Sequence, residues 1–160
     1  MSMPSLDRAR LLPRVVAALL CLAVSWIHVQ DQGGFPGDKT PHYVGIGYYL
    51  LEATGVLCAV LLLASTRQRV PRDAYPVDWL LAMGVALGPL LGFILSRGPG
   101  LPDYNDDKGN WTEPLGLISV VVEGILLITA ATVLLTAFRT AQTTTARPVT
   151  HQHTEGARLP

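Results

Sequence analysis

The sequence has little charge. Charged residues make up 15% of its 160 residues, against about 25% in an ordinary soluble domain. Lys plus Arg equals Asp plus Glu at 12 each, so no basic surplus marks a nucleic-acid partner. Cysteine is almost missing. Cys21 and Cys58 form no CxxC pair, and each lies in an apolar run, so they read as small packing residues rather than redox or zinc groups. There is no P-loop, Rossmann glycine fingerprint, HExxH or nucleophile elbow. The familiar nucleotide, zinc-protease and hydrolase signatures are therefore excluded, and no particular cofactor or metal is indicated.

What the chain does have is oil-soluble runs. Hydrophobic residues make up 49%, and they are clumped into four stretches near 11–29, 43–64, 77–96 and 115–138. A span needs about 20 mostly apolar residues at 1.5 Å rise each. Only helices or closed barrels satisfy the backbone in lipid, and these runs lack the period-two alternation of barrel strands. The expectation is an all-α, four-helix transmembrane bundle over 11–139. A segment at 1–10 precedes it, and a Thr-rich tail at 140–160 without apolar periodicity reads as disordered. Arg8, Arg10 and Arg14 before the first run resemble the start of a signal peptide, but that run is longer than the usual apolar region of about 7–15 residues, so a retained span is expected.

Charge sets the orientation. Nine of the 12 Lys and Arg residues (Arg8, Arg10, Arg14, Arg67, Arg69, Arg72, Arg139, Arg147 and Arg158) fall on one side, and Lys39, Arg97 and Lys108 on the other. The positive-inside rule places both termini in the cytoplasm. The outer face is then acidic, with Asp31, Asp38, Asp103, Asp106, Asp107 and Glu113. Trp26, Trp79 and Trp111 lie near span ends, where amphipathic rings favour the interface. The outer connections "QDQGGFPGDKTP" and "RGPGLPDYNDDKGNWTEP" are rich in turn residues. His151 and His153, in the tail, read as solvated polar residues.

Span three contains "MGVALGPLLGF", in which Gly84, Gly88 and Gly92 recur every four residues. This is expected to be a smooth ridge for close helix packing within the chain, with a dimer face or a hinge as the alternatives and Pro89 kinking the helix. Spans two and four share a phrase: "GIGYYLLE" ends at Glu52 and "GLISVVVE" at Glu123. Each places Gly and Glu on one helix face, which raises the idea of two related helical hairpins, a parallel repeat. The two acids lie at matched depth, on the order of 12–15 Å from the outer surface at 1.5 Å per residue.

An ionised side chain at mid-membrane costs at least ~2.5–3.5 kcal/mol. The acids must therefore be protonated, paired with a donor, or face a wet cavity. No Lys or Arg lies in the central part of any span. The expected arrangement is an outward-facing polar pocket built from Glu52, Glu123 and His28, supported by His42, Tyr48 and Tyr49, with Ser119 one turn from Glu123. It would bind a cation, a proton or a small amphipathic ligand. The bland alternative is two neutral acids serving as glue between helices.

The loop "DYNDDKGN" spaces Asp103, Asn105 and Asp107 like a calcium loop, but Lys108 replaces the required glycine, so only weak cation binding is expected. Asn110 heads a glycosylation sequon without meaning in a bacterial cell. The stretches "SWIHVQDQGGFPGDKTPHYVGIGYYLLEATG" and "GFILSRGPGLPDYNDDKGNWTEPLGLISVVVEG" resemble a group of small, mostly uncharacterised four-span integral membrane proteins of actinobacterial type. The resemblance rests on His28, Pro41, Ser96, Gly100, Leu101, Pro102, Glu113, Pro114 and Glu123, and covers about residues 15–135. It implies a four-helix membrane fold and brings no reaction with it. Three functions stay open: a binding pocket, a non-catalytic accessory or structural subunit, and a small membrane enzyme using a protonated Glu as acid. The last ranks below the others because no nucleophile, metal triad or cofactor motif accompanies the acids. Partners implied are the lipid bilayer and either a membrane protein or a second copy of the chain.

Overall fold

The computed structural model describes residues 5–66 and 77–145. They form four helices: α1 (Ser5–Asp31), α2 (His42–Ala64), α3 (Val77–Arg97) and α4 (Pro114–Thr145). All four are long and apolar enough to cross a membrane, over Leu11–Asp31, His42–Ala64, Val77–Arg97 and Pro114–Thr143. The Arg67, Arg69 and Arg72 link and the His151 and His153 tail lie outside the described residues.

Local chemistry sets the helix ends. α1 stops in a Schellman turn: Gly34 N–H donates to Val29 O at 2.8 Å and Gly33 N–H to Gln30 O at 3.1 Å, with Gly33 at φ 90°. Pro41 precedes α2 in extended conformation, and Pro114 takes the first position of α4, where its missing N–H costs nothing. Asp78 in the first turn of α3 accepts the Trp79 N–H at 3.0 Å, favourable at the positive end of a helix. α4 meets no Gly or Pro near its expected end and continues helical to Thr145, so residues 140–145 of the supposed tail are helix. Thr136, Thr140 and Thr143 hydroxyls fold back onto carbonyls of the preceding turn there.

The helices run in a ring, α1 on α2, α2 on α3, α3 on α4 and α4 back on α1. α1 and α3 also approach across one diagonal, whereas the backbones of α2 and α4 stay apart. One half of the bundle is packed with small and medium apolar side chains: Ala17, Cys21 and Val24 against Cys58, Leu62, Ala82, Val85, Leu126 and Ala130. Small residues let backbones approach, which is how helices adhere in lipid. The outer surface carries large apolar side chains on every helix, among them Leu12, Leu50, Leu91 and Ile128. A surface of that kind belongs in a bilayer.

Two expectations fail here. The Gly84, Gly88 and Gly92 ridge packs against nothing, since a Cβ at any of the three would meet no heavy atom within 4 Å. The close approaches are elsewhere. A Cβ on Gly55 would strike the Ser25 hydroxyl and come within 3.0 Å of the Cys21 carbonyl. Trp79 is 3% exposed and sits inside the bundle beneath Arg14, which pairs with Asp78 and lies 5.7 Å from the Trp79 ring. A ring covered that way is core, not an interfacial anchor.

Candidate functional site

The other half of the bundle, nearest the 32–41 and 98–113 connections, is hollow. All four helices border a cavity of about 400 Å³, within the range typical of small-molecule sites. Ile27 and His28 come from α1, Val44, Tyr48 and Leu51 from α2, Gly88, Gly92, Phe93 and Ser96 from α3, and Leu115, Ser119 and Glu123 from α4. Two of the three glycines expected to make contacts, Gly88 and Gly92, therefore make space instead.

Glu123 is the acid of this cavity and is 1% exposed. The Ser119 hydroxyl, one turn earlier, donates to its Oε1. Its Oε2 has no hydrogen-bond partner among the described residues. His28 Nε2 stands 3.9 Å from Oε1, close enough to couple but too far for a direct hydrogen bond. The other ring nitrogen settles the tautomer. Nδ1 lies 2.9 Å from the Val24 carbonyl, and a carbonyl can only accept, so Nδ1 carries a hydrogen. When His28 is neutral, its Nε2 lone pair faces Glu123. Tyr48 tilts against His28 at 5.4 Å between ring centroids, and its hydroxyl donates to Asp31. Lys39 joins Asp31 at 3.5 Å.

A buried cation holds the mouth together. Arg97 is 7% exposed and stacks on Phe93 at 4.0 Å. Its Nε donates to Asn110 O at 2.8 Å, one terminal nitrogen pairs with Glu113, and the other lies 3.8 Å from Asp107 and 3.3 Å from Ser96 Oγ. The loop acids thus face a cation of the chain's own. Tyr104 completes the group by donating to Asp107 at 2.7 Å, and burial, followed by that carboxylate, pushes its phenol above its ordinary range. Tyr43 ties α2 to the loop through Pro102 O at 2.6 Å.

Of the residues expected in the pocket, His28, Tyr48 and Glu123 border the cavity, and His42, Tyr49 and Glu52 do not. His42 is exposed at the start of α2. Tyr49 turns the other way, donating to Gly37 O at 2.8 Å and meeting Phe35 edge-on. Glu52 accepts from Gln32 Nε2 at 2.6 Å and borders an open groove on the outer side of α1 and α2, with Leu19, Trp26 and Val56. The two glutamates therefore do not share a pocket. Matched depth set their height but not their direction, and α1 and α3 occupy the diagonal between the helices that carry them. Arg97, Phe93 and Gln32 were not anticipated. An Arg followed by a turn and an acid-rich loop was the available signal for the first.

Comparison with known proteins returns nothing: no family model, no curated protein and no solved structure matches the chain.

Proposed function

We propose that this is a four-span protein of the bacterial plasma membrane with cytoplasmic termini, and that the cavity is an outward-facing pocket for a small ligand. The ligand is a cation, a proton or a small amphipathic molecule. The observation that carries this reading is the Glu123 carboxyl group, buried at the cavity wall with one oxygen unpartnered among the described residues. A buried polar atom left in that state is costly unless something else satisfies it. An acid kept within a membrane bundle is by default a functional group. The arginine distribution supports the outward orientation, because it puts the cavity end opposite the basic side.

The test is to purify the full chain from its native membrane in mild detergent and extract what comes with it. Wild type should carry a small molecule near one per chain, and Glu123→Gln should lose it while still folding. Equal content in both proteins, or none in either, would remove the pocket from the account. Stoichiometric protein subunits in place of a small molecule would favour an accessory role instead.

A further inference from the structure

From the geometry we infer that the pocket takes a lipophilic amine, with its nitrogen against Glu123 and His28 and its hydrocarbon part along the glycine-lined wall of α3. The inference rests on the pocket reading and names its ligand class.

The floor of the cavity offers acceptors. Ser119 already spends its hydroxyl hydrogen on Glu123 Oε1. Glu123 Oε2 is unpartnered among the described residues. Neutral His28 has its one N–H committed to Val24 and turns a lone pair inward. Arg97, the one Lys or Arg on the wall among the described residues, is held by Asn110, Glu113, Asp107 and Ser96. A ligand must therefore bring donors and positive charge. An ammonium group brings three N–H donors and a compact charge. An ionised Glu123 would repel a carboxylate, and an alcohol has one donor and no charge. A free amine meeting a protonated Glu123 gives the same pair: the carboxyl proton passes to the amine nitrogen, leaving carboxylate and ammonium. A hard metal ion wants six or more oxygens, and among the described residues no three His, Cys, Asp or Glu are placed to hold a metal ion together.

The walls supply the second half. Ile27, Leu51, Phe93 and Leu115 are apolar, and Gly88 and Gly92 leave open space where side chains would stand. An intrahelical glycine costs about 1 kcal/mol against alanine. Among the described residues nothing packs against Gly88 or Gly92 to account for that cost, and cavity volume does.

The experiment compares octylamine, 1-octanol and octanoate at equal concentration, reading the shift in unfolding temperature of the detergent-solubilised full chain. Octylamine should raise it, octanol less so, and octanoate not at all. Glu123→Gln should abolish the octylamine shift by weakening binding about tenfold or more, as expected for a hydrogen bond to a charged group. Gly92→Leu should also abolish it without lowering the unfolding temperature of the ligand-free protein, and Gly88→Ala provides a milder second obstruction of the same wall. Equal shifts from octylamine and octanol, both lost in Glu123→Gln, would keep the pocket and overturn the amine class. An octylamine shift that survives Glu123→Gln would be partitioning into the micelle and would overturn the site. No shift from octylamine, with a native molecule still held by Glu123, would again overturn the class alone.

Discussion

Arg97 shows how much one side chain can hold in place. Its guanidinium reaches four polar groups and a ring, and it fixes the 98–113 loop over the cavity mouth. Arg97→Met should destabilise the protein by about 2–3 kcal/mol. That is less than the roughly 3–5 kcal/mol of a fully buried pair, because Asp107 and Glu113 keep 23% and 28% of their side-chain surface. Arg97→Lys should fall between, since it keeps the charge but loses the planar fork and the stack on Phe93. Chemical unfolding in detergent checks both. A Lys variant as unstable as Met would mean that the fork, rather than the charge, carries the loop. At this scale the sequence was only partly legible. Glu123, His28 and Ser119 could be picked out because a polar residue in an apolar run needs a reason. Glu52 was equally visible and points elsewhere, because depth along a helix does not fix the neighbour it faces. Arg97 was hidden because a charge at a span end looks like an ordinary interfacial residue.

At the scale of elements, the number and order of the spans were readable, but two outer ends were not: α1 begins at Ser5 rather than near 11, and α4 runs to Thr145 rather than to 138. Long apolar runs interrupted by Gly, Pro and Asp leave little freedom, and the start of α3 matches expectation while those of α2 and α4 come one residue earlier. The misreading lay in which glycines pack. Spacing of four puts Gly84, Gly88 and Gly92 on one face, but spacing cannot say whether that face meets a helix or a void. Gly55, unremarked in a row of leucines, is where α1 and α2 come together. Gly55→Leu should cost about 1–3 kcal/mol by overpacking, because its side chain would have to displace the Ser25 hydroxyl and the Cys21 backbone. Gly84→Ala should be neutral or slightly stabilising, through better helix propensity and open space around it. Thermal unfolding of the two variants side by side decides the matter. If Gly84→Ala proved the more damaging, α3 would be packing through its ridge after all.

At the scale of the whole molecule, packing and charge are both unevenly divided along the bundle axis. The packed half carries Cys21, Cys58, Trp79 and the Arg14–Asp78 pair. The hollow half carries the cavity, with its acid-rich loop tied down by Arg97. By sequence, nine of the 12 basic residues fall in the segments before Val15, between α2 and α3, and from Arg139 on. A helix bundle with that bias inserts with the basic end in the cytoplasm, which would open the cavity to the outside. Single cysteines placed at positions 37, 70, 105 and the C-terminus of the full chain should react with a membrane-impermeant thiol reagent, added to intact cells, at 37 and 105 alone. The native cysteines will not obscure the result, because Cys21 and Cys58 are each 0% exposed. Labelling at 70 or at the C-terminus would invert the molecule and turn the cavity toward the cytoplasm. The amine would then have to be one made inside the cell, and the acid-rich loop would lie on the side where the positive-inside rule puts basic residues.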